Sequence, residues 1–227
     1  MAHQGKRYRA DAAKTPDRKQ PVPLTEAIQR VKAFKPLKFD QSIDIVVQLG
    51  IDPKQADQTV RGAVSLPHGI GKTKRVIAFC GEDQVAAAKE AGAVEAGGEE
   101  LIKKVEGGWM EFDVAVASPD MMRLVARLGK VLGPKGLMPS PKSGTVTPKV
   151  ADAVREYAAG KVEFRNDAGG NVHAVIGKQS FATEKLQENA EAFINHLLRL
   201  KPASAKGQYV KKVAISGTMT PGVLVAV

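Results

Sequence analysis

Lys130, Lys135 and Lys142 lie in a stretch, residues 128–147 (LGKVLGPKGLMPSPKSGTVT), that also holds Gly129, Gly133, Gly136, Gly144, Pro134, Pro139 and Pro141. Lysine supplies positive charge, and glycine lets backbone amides come close to an anion. Between residues 121 and 149 there are six basic residues and no acidic one. Such a stretch suits a phosphate backbone or an acidic partner. A plain surface loop, with glycines serving turns and lysines serving solubility, accounts for the composition equally well. The glycines and prolines exclude a continuous helix or a central strand here.

Other chemistry is harder to find. Gly71-Lys72-Thr73 resembles the end of a nucleotide-phosphate loop, but Leu66 stands where its first glycine belongs. No G-x-G-x-x-G opens the middle of the chain, so a dinucleotide site lacks its fingerprint. His3, His68, His173 and His196 are dispersed and have no cysteine pair near them, so no metal is expected. His173, inside the apolar run NVHAVIG, reads as structural or as facing a polyanion. Cys80 is the lone cysteine, which implies a reducing compartment. The residues offer no catalytic centre, no cofactor and no small-molecule substrate.

The chain of 227 residues has a net charge of +10 and an isoelectric point near 9.7, which favours polyanions and above all nucleic acid. The charge is uneven. Residues 1–67 hold twelve basic and seven acidic residues, residues 160–227 nine and five, and residues 68–159 thirteen and twelve. No apolar run is long enough for a membrane span, and the N-terminal segment has no apolar core. No membrane partner is expected.

The elements that must position these residues follow from periodicity. Residues 6–19, six basic and two acidic with little to bury, read as a mobile arm. LTEAIQRVKAF reads as a helix with Thr25 as its cap, and SIDIVVQLGID as a strand with Ile43, Ile45 and Val47 on one face. QTVRGAVSLP is a second strand. From residue 68 strands alternate with helices: RVIAFC, EDQVAAAKEAG, LIKKVEGG, FDVAVAS, PDMMRLVARLG and, beyond the glycine-rich stretch, PKVADAVREYAA. That rhythm implies a small, largely parallel sheet. Then KVEFRND and NVHAVIG read as a hairpin across Ala168-Gly169-Gly170, followed by a long helix with Leu186, Ala190, Phe193, Leu197 and Leu200 in one stripe. VKKVAISGT and GVLVAV close the chain as strands. The economical arrangement is an α/β chain of two domains: residues 1–67 and 160–227 form a discontinuous α+β domain, and residues 68–159 are inserted.

LGIDPKQADQTVRGAVSLPHGIGK, the glycine-rich stretch, VEFRNDAGGNVHAVIGK and ISGTMTPGV occur in order over nearly the whole chain. Together they resemble the bacterial form of the L-one family of ribosomal proteins. The resemblance implies that the inserted domain is Rossmann-like, a three-layer α/β unit, and that the terminal domain binds large-subunit ribosomal RNA at the mobile side stalk. It further implies help in releasing deacylated tRNA from the exit site, and repression of translation by binding the leader of the chain's own messenger RNA. Location in the large ribosomal subunit of the cytoplasm goes with it. The alternative is a nucleotide-binding enzyme built on the middle domain.

Two segments of this chain match the family's RNA contacts. One is Lys38-Phe39-Asp40-Gln41-Ser42, ahead of the first strand; the other is Ser216-Gly217-Thr218-Met219. An aromatic ring at Phe39 suits stacking on a ribose or base, and hydroxyls at Ser42, Ser216 and Thr218 suit 2′-OH contact. Read without the resemblance, Phe39 and Met219 are ordinary core residues. Arg165 and Asp167 are further candidates, and Lys130, Lys135, Gly136 and Lys142 form a contact loop of the second domain. The chain departs from the family at Thr220, where glycine is usual. Its hydroxyl is expected to join Ser216 and Thr218 in reaching RNA.

Overall fold

The computed structural model describes residues 5–15 and 20–226. Two compact units divide them: residues up to Gly71 together with those from Glu163 onward, and Lys72–Val162. Helices and sheets of both kinds make this a mixed α/β protein.

The first unit begins with α1 (Lys6–Ala13) and α2 (Leu24–Lys32), followed by β1 (Ser42–Leu49) and β2 (Arg61–Val64). In β1, Ile43, Ile45, Val47 and Leu49 are buried while the alternate residues stay half-exposed, as a strand with one covered face requires. Helix α1 replaces the expected arm as far as residue 13; residues 16–19 and His3 lie outside the described residues. Thr25 is not a cap, because α2 starts one residue earlier. Its hydroxyl donates instead to Gln187 Oε1 at 2.9 Å.

The second unit contains β3 (Val76–Phe79), α3 (Glu82–Glu90), β4 (Glu95–Gly97), α4 (Glu99–Glu106), β5 (Val114–Ala117), α5 (Met122–Val125), α6 (Gly129–Leu132) and α7 (Val150–Ala158). Its sheet is parallel, in the order β4-β3-β5. Every residue of β3 and β5 is buried, the unbroken apolar pattern of strands covered on both faces. Ile77, Phe79, Ala115 and Ala117 meet Leu101, Ile102 and Val105 of α4 and Val125, Leu128 and Leu132 beyond β5; α7 packs on β3 and β5 alongside α3. The single helix expected over 119–129 is broken into α5, a 3-10 turn at Ala126–Leu128 and α6, with poorly helical Gly129 at the last junction.

The chain then returns to the first unit as β6 (Val162–Arg165), β7 (Asn171–Lys178), α8 (Thr183–Arg199), β8 (Val210–Gly217) and β9 (Val223–Val225). The main sheet has the order β7-β1-β8-β9, with antiparallel pairing throughout. Helices α2 and α8 pack on each other and against this sheet. The expected β6–β7 hairpin is reduced to one bridge, Asn166 with Val172, because β6 pairs with β2 instead. Phe164 of β6 meets Phe193 of α8 edge-on at 5.5 Å. In the α8 stripe, Leu186, Ala190, Phe193 and Leu197 are fully buried, whereas Leu200 is exposed because the helix stops at Arg199.

Asn189 is the polar pin of this unit. It is fully buried, accepts from His68 N at 3.1 Å, and donates to Gly69 O at 3.0 Å and Ile176 O at 2.8 Å. Asn189→Ala removes the partner of His68 N, Gly69 O and the buried Ile176 O, and is expected to destabilise the chain by about 1–3 kcal/mol. Urea denaturation measures this; a loss under about 1 kcal/mol would show that the 68–69 turn does not depend on it.

Candidate nucleic-acid interface

Strand β8 ends in a turn whose closure is set by Thr220. Its backbone N–H donates to Gly217 O at 3.1 Å, and its hydroxyl oxygen accepts from Gly217 N at 2.8 Å. Thr218 and Met219 are therefore the two corner residues. A Cβ at 217 would stand 3.2 Å from Thr220 Oγ1 and 3.3 Å from Gln41 Oε1, so those two side chains would have to shift by a few tenths of an ångström to admit it. Thr220 is buried, which corrects the expectation that its hydroxyl reaches RNA. That oxygen is committed to the turn.

The turn is fastened to the chain ahead of β1. Thr218 N donates to Ser42 O at 3.0 Å, and Ser42 N donates to Thr218 Oγ1 at 3.1 Å. Met219 N donates to Gln41 Oε1 at 3.1 Å, while Gln41 Nε2 donates to Gln179 Oε1 at 3.0 Å. Gln41 is only 1% exposed. Its role thus differs from the one expected: it positions Met219 instead of offering its amide to a ligand. Asp40 holds the same segment from the other side, accepting from Ser180 N at 3.1 Å and Ser180 Oγ at 2.7 Å. Lys178 Nζ donates to Ser42 Oγ at 3.0 Å.

What the junction leaves in solvent is specific. Phe39 is 53% exposed and Met219 52%, so neither is the core residue that its type alone suggests. Lys38 and Thr218 are exposed beside them in sequence. An apolar ring, a soft thioether, an ammonium and a hydroxyl together suit a nucleic-acid strand. Ser216 pairs with Asp44 across β1 and β8, both on the half-exposed face. Burial pushes the Asp44 carboxyl above the usual carboxylate range, against the pull of His173 and Lys178.

Arg165 and Asp167 are not part of this junction. Arg165 precedes and Asp167 lies within the 166–171 loop, whose Asn171 pairs with Gln48, whereas Ser42 pairs with Lys178 at the other end of β1. Six strand residues separate those ends, roughly 20 Å. Arg165 is exposed. Asp167 closes its own loop, its carboxylate accepting from Gly169 N at 2.8 Å, Asn171 N at 2.7 Å and Asn171 Nδ2 at 3.0 Å. The Asn171 side chain and backbone bonds hold its pKa down, to about 2.

In the second unit Lys130, Lys135, Gly136 and Lys142 are all exposed. Gly136 and Gly144 take positive φ, 70° and 74°, which few other residues adopt. The stretch is tied down by Ser140 N donating to Thr145 Oγ1 at 2.8 Å and by Tyr157 OH donating to Ser143 O at 2.6 Å. Elsewhere in this unit a cleft of about 850 Å³ opens where β3 and β4 end, with Glu82, Glu99 and Glu100 in its lining. Those carboxylates occupy the first turns of α3 and α4, the positions a nucleotide phosphate would need. The cleft is therefore ill suited to the nucleotide-binding alternative. Among the described residues no group of His, Cys, Asp and Glu could hold a metal ion, and no helix is long and apolar enough to cross a membrane.

Comparison with known proteins identifies the family of the chain. The profile of the Ribosomal protein L1p/L10e family matches residues 31–221. The chain is 54% identical over 220 residues to the large ribosomal subunit protein uL1 of a Nocardioides species, covering 97% of this chain and 91% of that one. It is 52% identical over 219 residues to the protein of the same name from Chlorobium luteolum, covering 96% and 95%. For the Chlorobium phaeobacteroides protein the identity is 51% over 221 residues, covering 97% and 96%. By class, then, this is a structural, non-enzymatic ribosomal protein. It belongs to the Ribosomal protein L1p/L10e family.

Two predictions follow from the hydrogen bonds at these loops. Thr220→Val keeps the shape but leaves Gly217 N unpaired, and is expected to cost about 1–3 kcal/mol of stability by chemical denaturation. A neutral effect would mean that the hydroxyl does not close the turn. Because the Asp167 pKa is lowered, its contribution to loop stability is present above the usual value of 3.8 and lost as pH falls toward about 2. A carboxyl NMR titration should give that midpoint, and an ordinary value near 3.8 would contradict the loop geometry.

Proposed function

We propose that this chain is a constituent of the large ribosomal subunit that grips ribosomal RNA through the junction of segments 38–42 and 216–219. The observation carrying this reading is the hydrogen bond from Met219 N to Gln41 Oε1, which spans 178 residues of sequence and leaves Phe39 and Met219 half-exposed. A fold gains nothing internal from exposing two large apolar side chains at a locked junction; a ligand surface does. The relatives are large ribosomal subunit proteins, which supports the assignment. So does the charge map, with nine of the ten net positive charges lying outside residues 68–159.

The finer reading gives the two units different tasks. Residues 1–67 with 160–227 hold the side-stalk RNA, and residues 68–159, Rossmann-like by the family resemblance and with a parallel order β4-β3-β5 that supports it, present Lys130, Lys135 and Lys142 to passing exit-site tRNA. Arg165 extends the RNA surface at the far end of β1, and a messenger leader that mimics the stalk would bind the same junction and repress translation. The mechanism is one of shape and charge. Lysines neutralise phosphates, the Phe39 ring offers a stacking face, and Thr218 and Ser216 offer hydroxyls to 2′-OH groups.

The test uses the full chain and a fragment of the large-subunit stalk RNA. Phe39→Ala and Met219→Ala should each weaken binding by roughly ten- to a hundredfold, the scale of one lost stacking contact. Both side chains are exposed, so stability should shift by less than about 0.5 kcal/mol. Replacing Lys130, Lys135 and Lys142 together by alanine should leave this affinity within about tenfold. Wild-type affinity in both single variants would sink the junction as the primary site.

A further inference from the structure

We propose that α1 is a clasp that sets the geometry of the RNA-contact junction, with Arg7 as its positioning residue; this rests on the RNA-binding reading above. Arg7 Nη2 donates to the carbonyl of Met219 at 2.8 Å, across 212 residues of sequence. One helical turn on, Asp11 Oδ1 accepts from the backbone N–H of Lys35 at 3.3 Å, just ahead of Lys38. Residues four apart lie on one face of a helix. A single face of α1 therefore ties down the 216–219 turn and the chain three residues ahead of segment 38–42.

The composition of that face points the same way. Asp11 is only 2% exposed, an unusual state for a carboxylate on a short helix. Its Oδ2 and the Nη1 of Arg7 are buried with no hydrogen-bond partner among the described residues. Such groups are costly, and an apolar face would dock the helix at less cost. What the polar face achieves is control of one peptide unit after another at the corner of the turn. The Met219 N–H is held by Gln41 and its carbonyl by Arg7, so its half-exposed side chain is aimed outward before RNA arrives. Ordering the turn in the free protein removes that entropy cost from binding. With Nη2 on the carbonyl and Nη1 buried, Arg7 acts through Met219 and not on a phosphate.

The experiment compares the full chain with Arg7→Ala and Arg7→Lys, using the stalk RNA fragment over a range of salt. Arg7→Ala should bind about tenfold more weakly, the scale of one lost charge-assisted hydrogen bond, with the slope of log affinity against log salt unchanged. Arg7→Lys, which keeps one donor, should recover part of the loss. In the RNA-free protein, Arg7→Ala should speed hydrogen exchange at the Met219 and Thr220 amides. A slope reduced by roughly 0.7–0.9 would mean that Arg7 neutralises a phosphate directly, overturning the clasp. Unchanged affinity would overturn it too, and tighter binding would make α1 a competitor of RNA. If the wild-type chain fails to bind the fragment, the RNA reading itself fails, and unchanged amide exchange would then reject the clasp separately.

Discussion

Strand β1 is hydrogen-bonded along both edges by strands from the far end of the chain. Ser42 pairs with Lys178 on one side, and Ile43 pairs with Gly217 on the other. Unpaired backbone groups inside a sheet are costly, so β1 is stable only once both distant segments have returned to it. Its inward residues Ile43, Ile45 and Val47 then join Val172, Ile176, Val213 and Ile215 in burial. The cost of closing so long a loop grows only logarithmically with its length. A compact unit can therefore occupy Lys72–Val162 without weakening the sheet that flanks it.

The candidate interface inherits its order from that pairing. It sits where β1 begins and β8 ends, so the same hydrogen-bond ladder that builds the sheet fixes the separation of the two segments. Gln41, Thr218 and Thr220 continue the ladder with side chains where the backbone ladder runs out. A turn and an irregular segment thereby gain the definition of a strand pair, which a surface recognising RNA by shape and stacking requires. Helix α1 belongs to the same logic, with charged groups used to orient loops and not to fill a core.

In the second unit the glycine-rich stretch serves two ends at once. Leu128 and Leu132 are fully buried and Pro139 is buried, anchoring the stretch at three points. Gly136 turns the chain between the anchors and Gly144 beyond them, and the lysines are exposed. The hydroxyls of Ser143, Thr145 and Tyr157 satisfy backbone groups of Ser140 and Ser143 that no helix or strand ladder covers. Turn-forming glycines and an exposed basic surface are thus compatible outcomes of one sequence.

Much of the fold was legible in local pattern. The alternation in SIDIVVQL assigned a buried face to β1, the stripe Leu186-Ala190-Phe193-Leu197 assigned one to α8, and the β–α rhythm from residue 68 implied a parallel sheet. These signals are periodic in sequence because the side chains of a regular element meet the core at a fixed interval. Strand β4 escaped notice because Glu-Ala-Gly has no strand propensity and exists only through its pairing with β3. Helix α1 escaped notice because its docking groups meet partners 24 and 212 residues away. Phe39, Gln41, Met219 and Thr220 show the same limit most sharply: type predicts the first and third inside and the second and fourth outside, and the structure reverses all four. Sequence determined most of the segments that are strands and helices, the short β4 and the polar α1 excepted. Tertiary structure alone decided which polar groups are buried as fasteners and which apolar ones are left for a partner, because that depends on donors and acceptors brought opposite each other only when the two ends of the chain meet.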